Sequence, residues 1–212
     1  MSSQVPLPPL YPITDTELSG LSHAEQVKRL VAGGARLIQL REKRMSAGSF
    51  YEAAKPAVEI GREHGARILI NDRIDVCLAL EADGVHLGQD DLHPVEARRL
   101  LGERAVIGYS THSLEQALEA LTFPIDYLAI GPIFSTTSKD KADPEVGLEG
   151  LRSVKAVVGR IPLVAIGGIT ELLAPKVRDA GADSVAMISG ILVPSTLLTQ
   201  RTQQLLQTLS RV

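Results

Sequence analysis

Short apolar runs rich in Ile, Val and Leu alternate along the chain with longer stretches in which apolar residues recur at helical spacing. This is the pattern of parallel strands joined by crossover helices. It predicts strands over 10–13, 37–40, 67–70, 84–87, 106–108, 127–130, 163–166 and 184–188, with helices over 22–32, 48–64, 75–80, 94–101, 113–121, 148–158, 172–180 and 196–209. Gly33-Gly34-Ala35, Gly65-Ala66 and Gly181-Ala182 read as helix stops followed by tight turns into the next strand. Eight such units in 212 residues predict a compact (β/α)8 TIM barrel: one domain spanning 1–212, with 1–9 as a flexible lead. An open doubly wound sheet would carry Gly-x-Gly-x-x-Gly after an early strand, and the chain has none.

Composition narrows the possible partners. Hydrophobic residues make up 44% and charged residues 22%, the balance of a folded globular chain. There is no Trp, aromatics are 3%, and the net charge is -3, so neither base stacking nor a basic field favours nucleic acid or anionic lipid. An anion must therefore meet a local set of donors, which suits a small phosphorylated ligand. No basic and apolar leader opens the chain and no run of about twenty apolar residues occurs, so a cytoplasmic location is expected. Cys77 is the only cysteine and is expected to pack rather than react.

In a barrel, chemistry sits where strands end in loops at the carboxyl face. Gln39, Arg41 and Lys43 alternate along the second strand and its exit, and so point one way, toward the mouth. Arg and Lys converging there suit an anion. Asn71-Asp72-Arg73 and His86 to Asp91 place carboxylates on neighbouring loops, where two could share magnesium or serve simply as turn and cap chemistry. The fifth strand leads to Ser110-Thr111-His112, and the sixth to Ser135-Thr136-Thr137-Ser138-Lys139, a row of hydroxyls ending in a cation. Gly167-Gly168 and Ile188-Ser189 follow strands seven and eight, where backbone N–H groups form a phosphate cradle in barrels of this kind. His23, His64 and His93 fall on expected surfaces and read as solvated, whereas His86 and His112 lie near the mouth as donors or structural partners.

With these motifs assembled, the chain from Leu10 to Ile191 resembles the thiamine-phosphate synthase family. Tyr11-Pro12-Ile13-Thr14-Asp15, Gln39 to Lys43, Asn71-Asp72-Arg73, His86 to Asp91, Ser110-Thr111-His112, Gly131 to Lys139, Gly167-Gly168-Ile169 and Ile188-Ser189 occur in family order. The resemblance implies an enzyme that joins an aminopyrimidine diphosphate to a thiazole phosphate with loss of pyrophosphate. On that reading Gln39, Arg41, Glu42, Lys43 and Asn71 bind the pyrimidine diphosphate, Asp72 and Asp91 hold Mg2+, and Ser110 and Lys139 complete that side. Thr136, Thr137 and Ser138 contact the thiazole, and Gly168, Ile188 and Ser189 hold its phosphate. The pyrimidine diphosphate would ionise to a cation that the thiazole nitrogen captures, with Arg41, Lys43, Ser110 and Lys139 as the catalytic groups. Related synthases imply a homodimer.

The chain departs from the family pattern at Ser135, where Pro is usual, at Ser138, where Thr is common, and at Leu172, where an Asn commonly caps the following helix. A thiazole tautomerase on the same barrel would use His112 as its acid–base and would need neither the Gln39–Arg41–Lys43 row nor the Asp72/Asp91 pair. A non-catalytic phosphate-ligand sensor would have lost the carboxylates, which are present.

Overall fold

The computed structural model describes residues 7–136 and 144–210. Eight parallel strands close into a barrel: β1 (Leu10–Thr14), β2 (Leu37–Leu40), β3 (Arg67–Asn71), β4 (Gly84–Leu87), β5 (Val106–Thr111), β6 (Tyr127–Ile130), β7 (Leu163–Ile166) and β8 (Ser184–Met187). Closure is made by β8 on β1, with Leu10 opposite Val185 and Pro12 opposite Met187. Around them lie α1 (Thr16–Ser19), α2 (His23–Ala32), α3 (Ala47–Glu63), α4 (Ile74–Leu80), α5 (Pro94–Leu101), α6 (Leu114–Ala120), α7 (Gly147–Val157), α8 (Ala174–Asp179), α9 (Ser189–Leu192) and α10 (Leu198–Leu209). No helix among the described residues is long and apolar enough to cross a membrane.

Local chemistry starts these helices where the sequence allows. Ser22, Ser46 and Ser113 each accept the amide three residues on and so begin α2, α3 and α6. Leu172 is 87% exposed and caps nothing; α8 begins only at Ala174, two residues later than the apolar pattern suggests. The last helix, expected over 196–209, is a 3-10 turn over Ser195–Leu197 that runs into α10, and the short α9 before it was not expected; Pro194 has no N–H to continue a helix from α9. The short α1 was not expected; Asp15 starts it by accepting from the amides of Glu17 and Leu18.

One device recurs at the amino end of the barrel. Asp83, Asp126 and Asp183 stand immediately before β4, β6 and β8, and each carboxylate accepts the backbone N–H of the neighbouring strand, at Ile68, Ile107 and Leu163, at 2.7 to 2.8 Å. Each also donates its own N–H to that same strand residue's carbonyl. Arg98 and Lys155 pair with two of these carboxylates. The opposite, carboxyl end is left for chemistry. At the amino end Leu7 packs against the barrel interior and Val185 N donates to Pro9 O, so the described part of the lead is anchored.

The core has two layers. Aliphatic side chains fill the space between barrel and helices. Tyr11, Ile13, Leu37, Leu69, Val106, Tyr127, Ala129, Val164 and Ala186 fill the interior. Gly108 decides how they fit: a Cβ there would lie 1.9 Å from Cζ of Tyr127, so the missing side chain is the space that the ring occupies. His23 corrects an expectation. It is 1% exposed rather than solvated, with Nδ1 2.8 Å from Thr14 Oγ1 and its ring beside Phe50, because the first turn of α2 faces the barrel. His64 and His93 are exposed, and His93 caps α5.

Gly108→Ala is expected to lower stability by about 1–3 kcal/mol, the cost of forcing atoms into a filled core, in a urea denaturation series; an unchanged midpoint would show that the ring moves freely. For His23, burial holds the imidazole below its ordinary pKa, against the pull of Glu42 and Asp15. The unfolded chain then binds the extra proton first, so stability is full above about pH 6.5 and falls as pH drops from there toward the lower folded value, by about 1.4 kcal/mol per unit of difference. Melting temperatures from pH 8 to pH 5 should show a smaller drop in His23→Gln than in the parent protein.

Candidate active site

The carboxyl ends of β2 to β5 build one wall of the mouth. Gln39, on β2, points into the barrel and donates through Nε2 to the Tyr11 hydroxyl at 2.9 Å. Two residues on, beyond the strand, Arg41 donates to Asp15 Oδ2 at 2.9 Å, and the same carboxylate caps α1. Lys43 lies farther out, its Nζ 2.5 Å from Asp72 Oδ2. The structure thus brings the Gln39, Arg41 and Lys43 row to the rim of β1, β2 and β3. Glu42, between them, turns the other way: its carboxylate accepts from Arg44 N and Met45 N in the exit turn and lies 3.9 Å from His23 Nε2.

Asn71 closes β3. It is buried, and its Nδ2 has no hydrogen-bond partner among the described residues. A buried amide donor without an acceptor costs roughly 1–3 kcal/mol, which a bound acceptor would recover. Asp72 follows with φ 63, a left-handed conformation that Asp tolerates better than most residues, held by its N–H on His86 O at 2.9 Å. That turn directs the carboxylate toward Asp91, whose Oδ2 accepts from Gly88 N at 2.7 Å. Burial lifts the Asp91 carboxyl above its usual range and the Asp72 charge adds to the lift, while the Gly88 N–H and Lys43 oppose it. Further positive charge beside Asp91 would favour its ionised form.

Ser110 is on β5 itself, since that strand runs three residues beyond its expected end. Its Oγ is 2.8 Å from His86 Nε2. His86 Nδ1 lies 2.8 Å from the Tyr127 hydroxyl, which lies 2.9 Å from the Tyr11 hydroxyl. Full burial raises both phenol pKa values well beyond the usual tyrosine range, so both hydroxyls keep their protons. Tyr127 was not singled out in the sequence; an inward position on β6 facing a glycine of β5 is the signal that marks it. His112 donates from Nδ1 to Gly131 O at 2.6 Å, the only role a carbonyl partner allows. Cys77 lies behind the barrel wall, its thiol on Gly84 O, and burial pushes its pKa up to about 12, which fits packing.

The far wall comes from β6, β7 and β8. Ile133 N and Phe134 N donate to Ile166 O and Gly167 O, so the chain after β6 lies across the end of β7 and delivers Ser135 and Thr136 to the rim. Ser135 Oγ donates to Glu145. Thr137, Ser138 and Lys139 lie outside the described residues. Gly168 has φ 65, and a Cβ there would meet Ser135 O at 2.5 Å and Phe134 O at 2.6 Å. Its glycine character is needed by this crossing loop. Ile188 and Ser189 open α9 beside it, and Gly190 packs so tightly that a Cβ would lie 2.4 Å from Ile169 O.

A closed parallel barrel with basic, hydroxyl and carboxylate groups gathered at the carboxyl ends of its strands has the architecture of a (β/α)8 enzyme. Comparison with known proteins narrows the class. Residues 10–191 match the family model described as thiamine monophosphate synthase, and the chain belongs to that family. It is 45% identical to a thiamine-phosphate synthase of Chloroflexus aurantiacus over 86% of this chain and 84% of the relative. A thiamine-phosphate synthase of Koribacter versatilis is also 45% identical, over 99% of both chains. Among solved structures, a thiamine phosphate pyrophosphorylase from Pyrococcus furiosus superposes with a TM-score of 0.86 at 37% identity, covering 95% of each chain.

Gly168→Ala is expected to loosen the crossing loop, because the added methyl meets two carbonyls and the positive φ disfavours any side chain by about 1–2 kcal/mol. Hydrogen exchange should speed up roughly tenfold at the Ile133 and Phe134 amides. Exchange confined to the Ile188–Ser189 turn would instead tie Gly168 to α9.

Proposed function

We propose that the chain couples 4-amino-2-methyl-5-pyrimidinylmethyl diphosphate with a hydroxyethylthiazole phosphate, plain or carboxylated, to give thiamine phosphate and pyrophosphate, with CO2 also released from the carboxylated form. The observation that carries this reading is the Asp72/Asp91 pair with Lys43 on it, at the same end of a barrel of this family as Arg41 and Ser110. Family membership and the synthase relatives support the activity; the roles below are our reading of the geometry.

Gln39 and the unpartnered Asn71 amide face the pyrimidine. Arg41, Lys43, Ser110 and Lys139 hold the diphosphate, and Glu42, whose carboxylate orders the turn after β2, keeps Arg41 and Lys43 in register. Thr136, Thr137 and Ser138 line the thiazole, while the backbone at Gly168, Ile188 and Ser189 holds its phosphate. The bond from the pyrimidine methylene to the diphosphate oxygen breaks with both electrons leaving on pyrophosphate, and the thiazole nitrogen donates its lone pair to the resulting cation. No covalent nucleophile is required. The protein contributes donors aimed at the departing charge, each worth on the order of a hundredfold or more, and holds the thiazole at attack distance.

The carboxylate pair fits a divalent cation: Asp72 and Asp91 lie in contact, and burial with the neighbouring Asp72 charge holds the Asp91 carboxyl above its usual range, which added positive charge would offset. Asp72 and Asp91 would hold magnesium, a hard cation that takes oxygen ligands of this kind. Bound there, the metal supplies positive charge to the leaving pyrophosphate. A cytoplasmic homodimer completes the proposal.

Asp72→Asn and Asp91→Asn should each lower turnover at least a hundredfold while leaving the circular dichroism melt near that of the parent, and a chelator should abolish coupling until magnesium is restored. The assay supplies both substrates and follows thiamine phosphate and pyrophosphate together. Coupling that survives the chelator would remove the metal from the reading; no coupling in its presence would remove the synthase assignment.

A further inference from the structure

Five polar groups inside the barrel form one continuous chain of contacts, Gln39 to Tyr11 to Tyr127 to His86 to Ser110, which starts on β2 and ends at the rim on β5. We propose that Tyr127 and His86 are positioning residues that give this chain a fixed polarity, with Tyr11 behind them as the acceptor for Gln39, so that Ser110 always presents its proton, never its lone pair, to the anion in the mouth. The inference rests on the reading of Ser110 as a contact to the leaving diphosphate and adds what makes that contact one-directional.

The polarity follows from counting protons. The Gln39 amide nitrogen can only donate, so Tyr11 oxygen accepts from it at 2.9 Å. Each tyrosine has one proton to give. If Tyr11 gives its proton to Tyr127, Tyr127 gives its own to His86 Nδ1, the neutral imidazole carries hydrogen on Nε2, and Nε2 donates to Ser110. Every hydroxyl and imidazole proton along this chain then has an acceptor within it except the last, which is on Ser110 at the half-exposed rim. The reverse polarity leaves the Tyr11 proton unmatched in the barrel interior, where Tyr11 is 1% exposed. A doubly protonated His86 would strand one tyrosine proton in the same place. Burial penalises both alternatives, because an unmatched donor there has no water to turn to.

Two packing features hold the chain in place. Gly108 supplies the room in which the Tyr127 ring lies, and the ring stacks on His86 with centroids 5.6 Å apart and planes at 19°, while meeting Tyr11 edge-on at 5.9 Å. Neither tyrosine reaches the mouth, so their hydroxyls act on substrate only through His86 and Ser110. A hydroxyl fixed as a donor needs no reorientation as negative charge builds on the leaving group.

The test joins a spectrum to a kinetic cycle. In the native magnesium-loaded enzyme labelled with 15N-histidine, long-range proton–nitrogen correlation should show His86 with its proton on Nε2 and Nδ1 bare; a proton on Nδ1 overturns the proposal without any variant being made. In Tyr127→Phe, which keeps the ring, the Nε2–H form should give way to a mixture, with kcat down about tenfold and both KM values within twofold. Tyr11→Phe leaves Tyr127 its donor role toward His86 and should cost less than threefold. Ser110→Ala should cost about a hundredfold, and adding Tyr127→Phe to it should cost nothing more. An equal tenfold loss in the Ser110→Ala background would make Tyr127 merely structural and overturn the proposal. Full turnover in Ser110→Ala would overturn its outer end, the contact to diphosphate, and is distinguished by the histidine spectrum from a failure of the polarity.

Discussion

A closed parallel barrel must fill its own interior, and here that constraint is met by a tyrosine reaching from β6 toward β1 and β4. Tyr127 fits because β5 has Gly108 opposite its ring. Filling the space with a phenol rather than an aliphatic chain introduces a hydroxyl that water cannot reach, and such a group is tolerated only with a partner. Tyr11 and His86 supply that partnership, and Gln39 and Ser110 extend it to the functional end. Packing in the middle of the barrel and chemistry at its mouth are therefore one structure.

The two ends of the barrel divide the work. At the amino end, aspartates before β4, β6 and β8 take up amides at the start of their neighbours, the first or second of each strand, and fix strand register with short, charge-assisted bonds. The carboxyl end carries the opposite features: Asn71 with an unmatched amide, Asp72 in a left-handed turn, and two carboxylates crowded together. Each is unfavourable in isolation. On the proposed function, a ligand's acceptors and a cation's charge would relieve them.

Glycine has separate roles around the mouth. At Gly108 it is absent volume, at Gly168 it lets the loop after β6 pass over β7, and at Gly190 it lets α9 approach Ile169. The sequence reading gives Gly168 one role, backbone approach to phosphate. The geometry adds a second, because the atoms that a side chain would strike belong to the loop delivering Thr136.

Much of this protein was legible in its sequence. The alternation of aliphatic runs with amphipathic stretches determines eight βα units, because a strand buried on both faces and a helix buried on one have different apolar periods. The motif series at the strand ends marks the family and the rim residues, since local order fixes which residues leave each strand last. What the sequence alone does not decide is where side chains separated by tens of residues meet. Closure of the sheet brought Tyr127 to Tyr11, 116 positions away, buried His23 against Thr14 and Phe50, and turned Glu42 back into its own turn. Those outcomes depend on which face each residue presents after the barrel closes and on whether a glycine across the interior leaves room, and only tertiary packing sets either one.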